Sequence, residues 1–220
     1  MRSMPAYAEY LIVVLVVFGW PVVISLVRLF HPASAPMLDD RHILASLIEE
    51  PVLIVVVGAF LFMRGWTLSS IGLVRLRWVD FAIGLALFLG ALALYYGSWI
   101  AGVVLAPDFM RQIKPRLVVG SDLNGVLTIL TVIINPVFEE LFVGAYLINA
   151  TKRHGWVVLG VILSIVIRTS YHLYQGPLAL FAIGPGAVLF AIYFAKSGRL
   201  WALVFAHLAL DAISILPHAG

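Results

Sequence analysis

The chain has 220 residues, of which 63% are hydrophobic and only 11% are charged, and its mean hydropathy is +1.07. A soluble domain carries about a quarter charged residues, so this much apolar side chain requires lipid as its solvent. The net charge of +3 is expected from Lys and Arg at helix ends rather than from a nucleic-acid surface, and the lack of cysteine excludes disulfides and thiolate metal sites.

Seven apolar stretches of sufficient length to span a bilayer follow one another along the chain, which predicts an all-α, polytopic transmembrane bundle. The second is the least regular, because its clean part begins at Pro51 and it enters through Glu49 and Glu50. Either these two acids lie at the membrane interface, which we favour, or the helix is short and partly buried by protein. The predicted spans are Glu9 to Arg28, Arg41 to Met63, Phe81 to Pro107, Leu123 to Ala150, Trp156 to Tyr174, Leu178 to Ala195 and Leu200 to Leu216.

The character of the spans changes in the middle of the chain. In residues 1–122 the spans are largely apolar and basic connections separate them, whereas in residues 123–220 charged side chains interrupt the spans. We therefore predict N-terminal spans and connections in residues 1–122. A four-helix core with the functional groups is predicted in residues 123–220.

The orientation follows from the basic residues near the helix ends, which are more frequent on the cytoplasmic side. With a cytoplasmic N-terminus, the cytoplasmic set is Arg2, Arg64, Arg75, Arg77, Lys152, Arg153, Lys196 and Arg199. The opposite set is Arg28, Arg41, Arg111, Lys114 and Arg116. Eight residues against five predict a cytoplasmic N-terminus.

Ionisable side chains lie inside the predicted spans of the second part. A charge at mid-membrane costs about 2.5–3.5 kcal/mol even on the lenient insertion scale, so such residues face the bundle interior and pair with one another. These residues are Glu139, Glu140, Arg168, His172, His207 and Asp211. Their co-occurrence indicates a functional site, although a structural ion pair of the two glutamates with Arg168 is the alternative.

Helical spacing groups these residues further, because residues four apart share one helix face. Such pairs are Asn135 with Glu139, Arg168 with His172, and His207 with Asp211. Glu140 lies about 100° around the helix from Glu139. We expect one of the two acids at the centre and the other in support or beside a basic partner. Asn135 is expected to make a packing hydrogen bond.

The cluster is suited to hydrolysis by either of two routes. A carboxylate and an imidazole in a dry cavity can hold and deprotonate a water, while a second imidazole donates to the developing oxyanion. Alternatively, Glu139, His172, His207 and Asp211 could bind a divalent metal ion such as zinc that activates the same water. A serine nucleophile is a poorer candidate, because nothing like a nucleophile elbow surrounds Ser164 or Ser170.

Three short motifs in this order resemble the CPBP family, the CAAX-processing and bacteriocin-processing endopeptidases also called the Abi family. The family pattern is EExxxR, then FxxxH, then Hxxx followed by Asn or Asp. The chain has Glu139-Glu140-Leu-Phe-Val-Gly, Tyr171-His172 and His207-Leu-Ala-Leu-Asp211. The connection Arg64-Gly-Trp-Thr-Leu-Ser-Ser-Ile-Gly-Leu73 also resembles the segment that precedes the family's core.

The resemblance implies a role for each matching residue. Glu139 would activate water and His172 would help to hold it, with Glu140 as the second acid. His207 and Asp211 would act as oxyanion donor and orienting acid, or as metal ligands. The resemblance leaves open whether a metal ion is needed.

Two motif positions depart from the family. The arginine of the first motif is Gly144 here, and the phenylalanine of the second is Arg168. We hypothesise that Arg168, one turn from His172, supplies from the next span the guanidinium missing at position 144.

The sequence thus favours an intramembrane endopeptidase that acts on a membrane-associated peptide or protein. The alternative is a catalytically inactive member that acts as a membrane scaffold, assembly factor or immunity protein. A proton-relay transporter is less favoured, because the chain has no inverted repeat. The expected surroundings are membrane lipid, a bacterial cytoplasmic membrane and a larger membrane complex, and no nucleic acid is expected as a partner.

Overall fold

The computed structural model describes residues 4–31, 37–113 and 118–220. Arg2, Lys114 and Arg116, which contributed to the orientation argument, lie outside these ranges, and the orientation stays a prediction. Within the described ranges, seven helices are long and apolar enough to cross a membrane, which confirms the predicted all-α fold. They are α1 (Ala6–Phe30), α2 (Asp40–Met63), α3 (Trp78–Leu105), α4 (Gly125–Lys152), α5 (Val157–Gln175), α6 (Ala179–Ser197) and α7 (Leu200–His218).

The connections contain little regular structure. A 3₁₀ turn occupies Ser69–Ile71, and a short helix occupies Pro107–Gln112. Two-residue strands, β1 (Met37–Leu38) and β2 (Val118–Val119), pair in parallel and join the connections that follow α1 and α3.

The centre of the bundle is α4, the most deeply buried of the spanning helices in the described chain. It runs as an α-helix over Gly125–Glu139, widens into a π-helix over Glu140–Tyr146, and returns to an α-helix over Leu147–Lys152. All seven residues of the π-helical segment are buried. Wide turns of this kind are frequent at functional sites, because they redirect the side chains of one helix face.

Small residues let neighbouring helices approach α4 and α7 closely. A Cβ atom at Gly160 of α5 would lie 2.0 Å from Thr151 Oγ1, and one at Gly84 of α3 would lie 2.8 Å from the Cβ of Phe205. Small residues at helix contacts are the usual means of close packing in lipid. These contacts bring α5 and α3 against the two helices that carry most of the polar cluster.

A bidentate ion pair fixes α3 to the start of α7. The Nε and Nη2 atoms of Arg199 lie 2.7 and 2.6 Å from the two carboxylate oxygens of Asp80, a residue with no exposed surface. The same carboxylate accepts a hydrogen bond from the backbone of Arg77 and so caps α3. The pair lies outside the polar cluster and fixes the start of α7, the helix that carries His207 and Asp211.

Candidate active site

The two acids of α4 are placed by the change from α- to π-helix. Glu139 is the last residue of the α-helical part and Glu140 the first of the π-helical part. Glu139 is 7% exposed and Glu140 has no exposed surface. Both carboxylates therefore depend on protein groups for their stabilisation.

Glu140 is bound by the two basic residues that reach it from α5 and α7. Arg168 Nη1 lies 2.7 Å from Glu140 Oε1, and His207 Nδ1 donates to the same oxygen over 2.8 Å. The second oxygen, Oε2, has no hydrogen-bond partner among the described residues. Glu140 thus meets a basic partner, as the helical spacing predicted.

Gly144 lies directly beneath that second oxygen. A Cβ atom at position 144 would stand 2.7 Å from Glu140 Oε2, so no side chain fits there while Glu140 keeps this position. Arg168 of α5 does place a guanidinium beside Glu140, which is the contact that our hypothesis about position 144 requires.

Glu139 faces four polar groups. The hydroxyl of Tyr171 donates to Glu139 Oε2 over 2.6 Å. The Nε2 atoms of His172 and His207 lie 3.9 and 4.0 Å from that oxygen, and Arg168 Nη1 lies 3.8 Å from it. Polar atoms at such separations are suited to a bridging water, because one oxygen can be within hydrogen-bond distance of both.

The hydrogen bonds at Nδ1 of His172 and His207 determine that Nε2 of each ring faces Glu139. Because the carboxylate of Glu140 only accepts, Nδ1 of His207 carries a hydrogen. Gln175 Nε2 lies 3.2 Å from Nδ1 of His172. Because the amide nitrogen donates, Nδ1 accepts, and the hydrogen of a neutral His172 is on Nε2. Both rings thus direct Nε2 towards Glu139 and are held at Nδ1.

Asp211 completes this side of the cluster. Its Oδ1 lies 3.5 Å from Nε2 of His207, one turn earlier in α7. The side chains of Asp211 and His172 are 19% and 16% exposed, more than those of the other four members of the cluster. The cluster is therefore deepest at Glu140 and most accessible at Asp211 and His172.

Asn135 makes the packing hydrogen bond that we expected, but its partner was not foreseen. Its side-chain amide donates to Oε1 of Glu50 over 2.9 Å. Glu50 is 8% exposed in the middle of α2, which agrees with the alternative of a span partly buried by protein, whereas its neighbour Glu49 is exposed. An amide inside a helical bundle needs a hydrogen-bond partner, so Asn135 within a predicted span already indicated that a buried polar group lies beside it.

Two further observations concern the alternatives left open by the sequence. Ser164 and Ser170 donate to backbone carbonyls of Val143 and Val166, so neither hydroxyl is placed as a nucleophile.

No group of three or more His, Asp or Glu in the described chain is arranged to hold a metal ion. The guanidinium of Arg168 beside both glutamates supplies the positive charge there and would repel a divalent cation. The proposed ligand set thus does not fit a metal ion.

Tyr171 was part of the recognised motif, but the sequence assigned it no role. Its ring stacks on Phe18 of α1 at a centroid distance of 5.6 Å, which holds the hydroxyl against Glu139. No spacing rule predicts this contact, because it depends on how α1 packs against α5.

Comparison with known proteins agrees with the motifs. Residues 122–213 match a family model described as type II CAAX prenyl endopeptidase Rce1-like. This range contains all six residues of the polar cluster, whereas Glu50 lies outside it. No curated protein and no solved structure matches the chain.

Proposed function

We propose that the protein is an intramembrane endopeptidase of the CPBP type, a proposal that the match of residues 122–213 to the Rce1-like endopeptidase model supports. It hydrolyses a membrane-associated peptide or protein by activating a water molecule at Glu139 and His172. The single observation that carries the proposal is the convergence of Glu139 Oε2 with Nε2 of His172 and Nε2 of His207, at 3.9 and 4.0 Å.

The bond changes follow from this geometry. A water between Glu139 and His172 is oriented by the imidazole and gives a proton to the carboxylate as its oxygen adds to the scissile carbonyl carbon. In its imidazolium form, His207 donates from Nε2 to the oxyanion that forms. Asp211, 3.5 Å from that nitrogen, orients the ring. The C–N bond then breaks, and the leaving nitrogen takes up a proton.

Arg168 and Glu140 support these groups rather than touch the substrate. The ion pair of 2.7 Å stabilises the buried charge of Glu140, and Glu140 fixes the ring of His207 through Nδ1. The guanidinium also lies 3.8 Å from Glu139. One arginine therefore links both acids of the motif.

The substrate class follows from the surroundings. The site lies among spanning helices, with its more accessible members at His172 and Asp211. A peptide must reach it from the lipid or from one membrane surface, which favours substrates that are themselves attached to the membrane.

A second function is supported by one specific contact. The hydroxyl of Tyr171 occupies Glu139 Oε2, the oxygen that would act as base, and the motif arginine is missing at Gly144. A catalytically inactive scaffold, assembly factor or immunity protein would retain such a closed polar network for stability alone.

The deciding experiment compares purified wild-type protein with Glu139→Gln in liposomes, using a library of membrane-anchored peptides and mass spectrometry of the products. Glu49→Gln, which removes an exposed acid from α2, is the matched control. Cleavage by wild type and the control but not by Glu139→Gln supports the peptidase. If wild type cuts nothing while all three proteins are equally folded, the scaffold is the correct function.

A further inference from the structure

Glu50 lies outside the region that matches the family and yet reaches its polar cluster from α2. It is 8% exposed, and its carboxyl accepts from Asn135 over 2.9 Å. Asn135 and Glu139 share one face of α4 and are separated by one turn, about 6 Å along the axis. The carboxyl group that α2 contributes at Glu50 thus lies about one turn of α4 before Glu139.

The carboxyl group of Glu50 has acidic neighbours along both helices. Glu49 precedes it in α2, and its hydrogen-bond partner Asn135 lies one turn before Glu139 in α4. No Lys, Arg or His of the described chain lies within ion-pair distance of Glu50, whereas Glu140 has both Arg168 and His207. A negative charge on buried Glu50 would therefore have no basic partner, which is energetically costly. A carboxyl group that retains its proton avoids this cost.

We propose that Glu50 is a further catalytic residue, the general acid that protonates the leaving nitrogen. The proposal rests on the proposed peptidase function and adds to it the group that completes the reaction. A peptide amine leaves poorly as an anion, so a positioned proton donor is needed on the nitrogen side of the scissile bond. Glu139 acts on the carbonyl side, and Glu50 stands one helical turn away.

The proton balance closes without another reactant. The attacking water gives one proton to Glu139, and its oxygen forms the new bond to carbon. Glu50 gives its proton to the nitrogen as the C–N bond breaks, which leaves a carboxylic acid and a neutral amine. The new acid returns its remaining proton to Glu50, and Glu139 passes its proton to the amine.

The test uses two substrates built on the peptide that wild type cleaves. One retains the scissile amide, and in the other a phenolic oxygen replaces the leaving nitrogen, so that the leaving group departs as an anion. For Glu50→Gln we expect a loss of about 100-fold or more on the amide, the range of general acid catalysis, but a change within about threefold on the phenolic ester. Glu139→Gln is expected to lose both activities, and Glu49→Gln to retain both.

Equal losses of Glu50→Gln on the two substrates, or no loss on either, would overturn the role of Glu50 while leaving the peptidase intact. A wild type that cuts neither substrate contradicts the peptidase itself and this role with it. Should Glu50→Gln not fold, Glu50→Asp replaces it, and we then expect the amide reaction to slow more than the ester reaction.

Infrared spectroscopy gives a readout that needs no substrate. At neutral pH, the wild type minus Glu50→Gln spectrum is expected to contain the carbonyl band of a protonated carboxyl group. With Glu50→Asp as the variant, the band is expected to shift. A difference spectrum with carboxylate bands only would contradict the proposal.

Discussion

The guanidinium of Arg168 lies 2.7 Å from Oε1 of Glu140, while Gly144 leaves room for the second oxygen of the same carboxylate. Both positions depart from the family pattern, and both lie against Glu140. Our hypothesis remains that Arg168 supplies the guanidinium that is missing at position 144.

The first prediction concerns this exchange. Arg168→Phe, which installs the family residue, leaves Glu140 buried without its arginine and should cost about 3–5 kcal/mol of stability. Its peptidase activity should fall to background. The double variant Gly144→Arg with Arg168→Phe restores both family residues and should regain stability and activity. Thermal unfolding and cleavage rates test this, and full activity of Arg168→Phe alone would contradict it.

A methyl group at position 144 tests the space beneath Glu140. The Cβ atom of Gly144→Ala would stand 2.7 Å from Glu140 Oε2, so the carboxylate must shift. Overpacking of this kind costs about 1–3 kcal/mol. The matched control is Gly97→Ala in α3, where a Cβ atom meets nothing within 4 Å. We expect a lower Tm and slower cleavage for Gly144→Ala only; equal behaviour of the two variants would show that Glu140 is not confined.

Loss of the Asp80–Arg199 ion pair should lower the stability of the protein without lowering its cleavage rate. Asp80→Ala removes the two hydrogen bonds from Arg199, each worth about 1.5–3 kcal/mol, together with the cap on the backbone of Arg77. The Tm should therefore fall, while cleavage measured well below the Tm stays near the wild-type rate. The control is Asp108→Ala, which breaks an exposed pair with Arg111 worth about 0–1 kcal/mol. A loss of activity without a loss of stability in Asp80→Ala would contradict this division.

Chelation is expected to leave the peptidase active. The basic group that lies between the two glutamates is a guanidinium, and the acids and imidazoles of the described chain do not form a set of metal ligands. Cleavage after extensive treatment with a chelator, combined with metal analysis of the active protein, measures this. Activity that vanishes on chelation and returns with one equivalent of zinc would contradict the metal-independent mechanism.

Much of the fold followed from the sequence, because each span is an apolar run long enough to cross a bilayer. The spacing of His207 and Asp211, four residues apart, likewise predicted a contact within one helix. Contacts between distant helices were not accessible in this way. The acid at position 50 precedes Pro51 and resembles a helix end, and only the packing of α2 on α4 brings it to Asn135.

The widened turn at Glu140–Tyr146 was also beyond the sequence pattern. An ideal α-helix turns about 100° per residue, which separates Glu139 from Glu140. In the structure both acids nevertheless face His207, Glu140 on the Nδ1 side and Glu139 on the Nε2 side. The division into residues 1–122 and 123–220, the cytoplasmic N-terminus and the bacterial membrane stay predictions.

The most direct test of the central claim is a double-mutant cycle on Glu139→Gln and His172→Gln, measured as kcat/KM on the cleaved peptide. Residues that act together on one water show strongly non-additive losses. We predict that each single variant retains only a small but measurable kcat/KM and that the double variant is no worse than the weaker single variant. Losses that multiply, or a single variant that retains the wild-type rate, would show that Glu139 and His172 do not activate the same water.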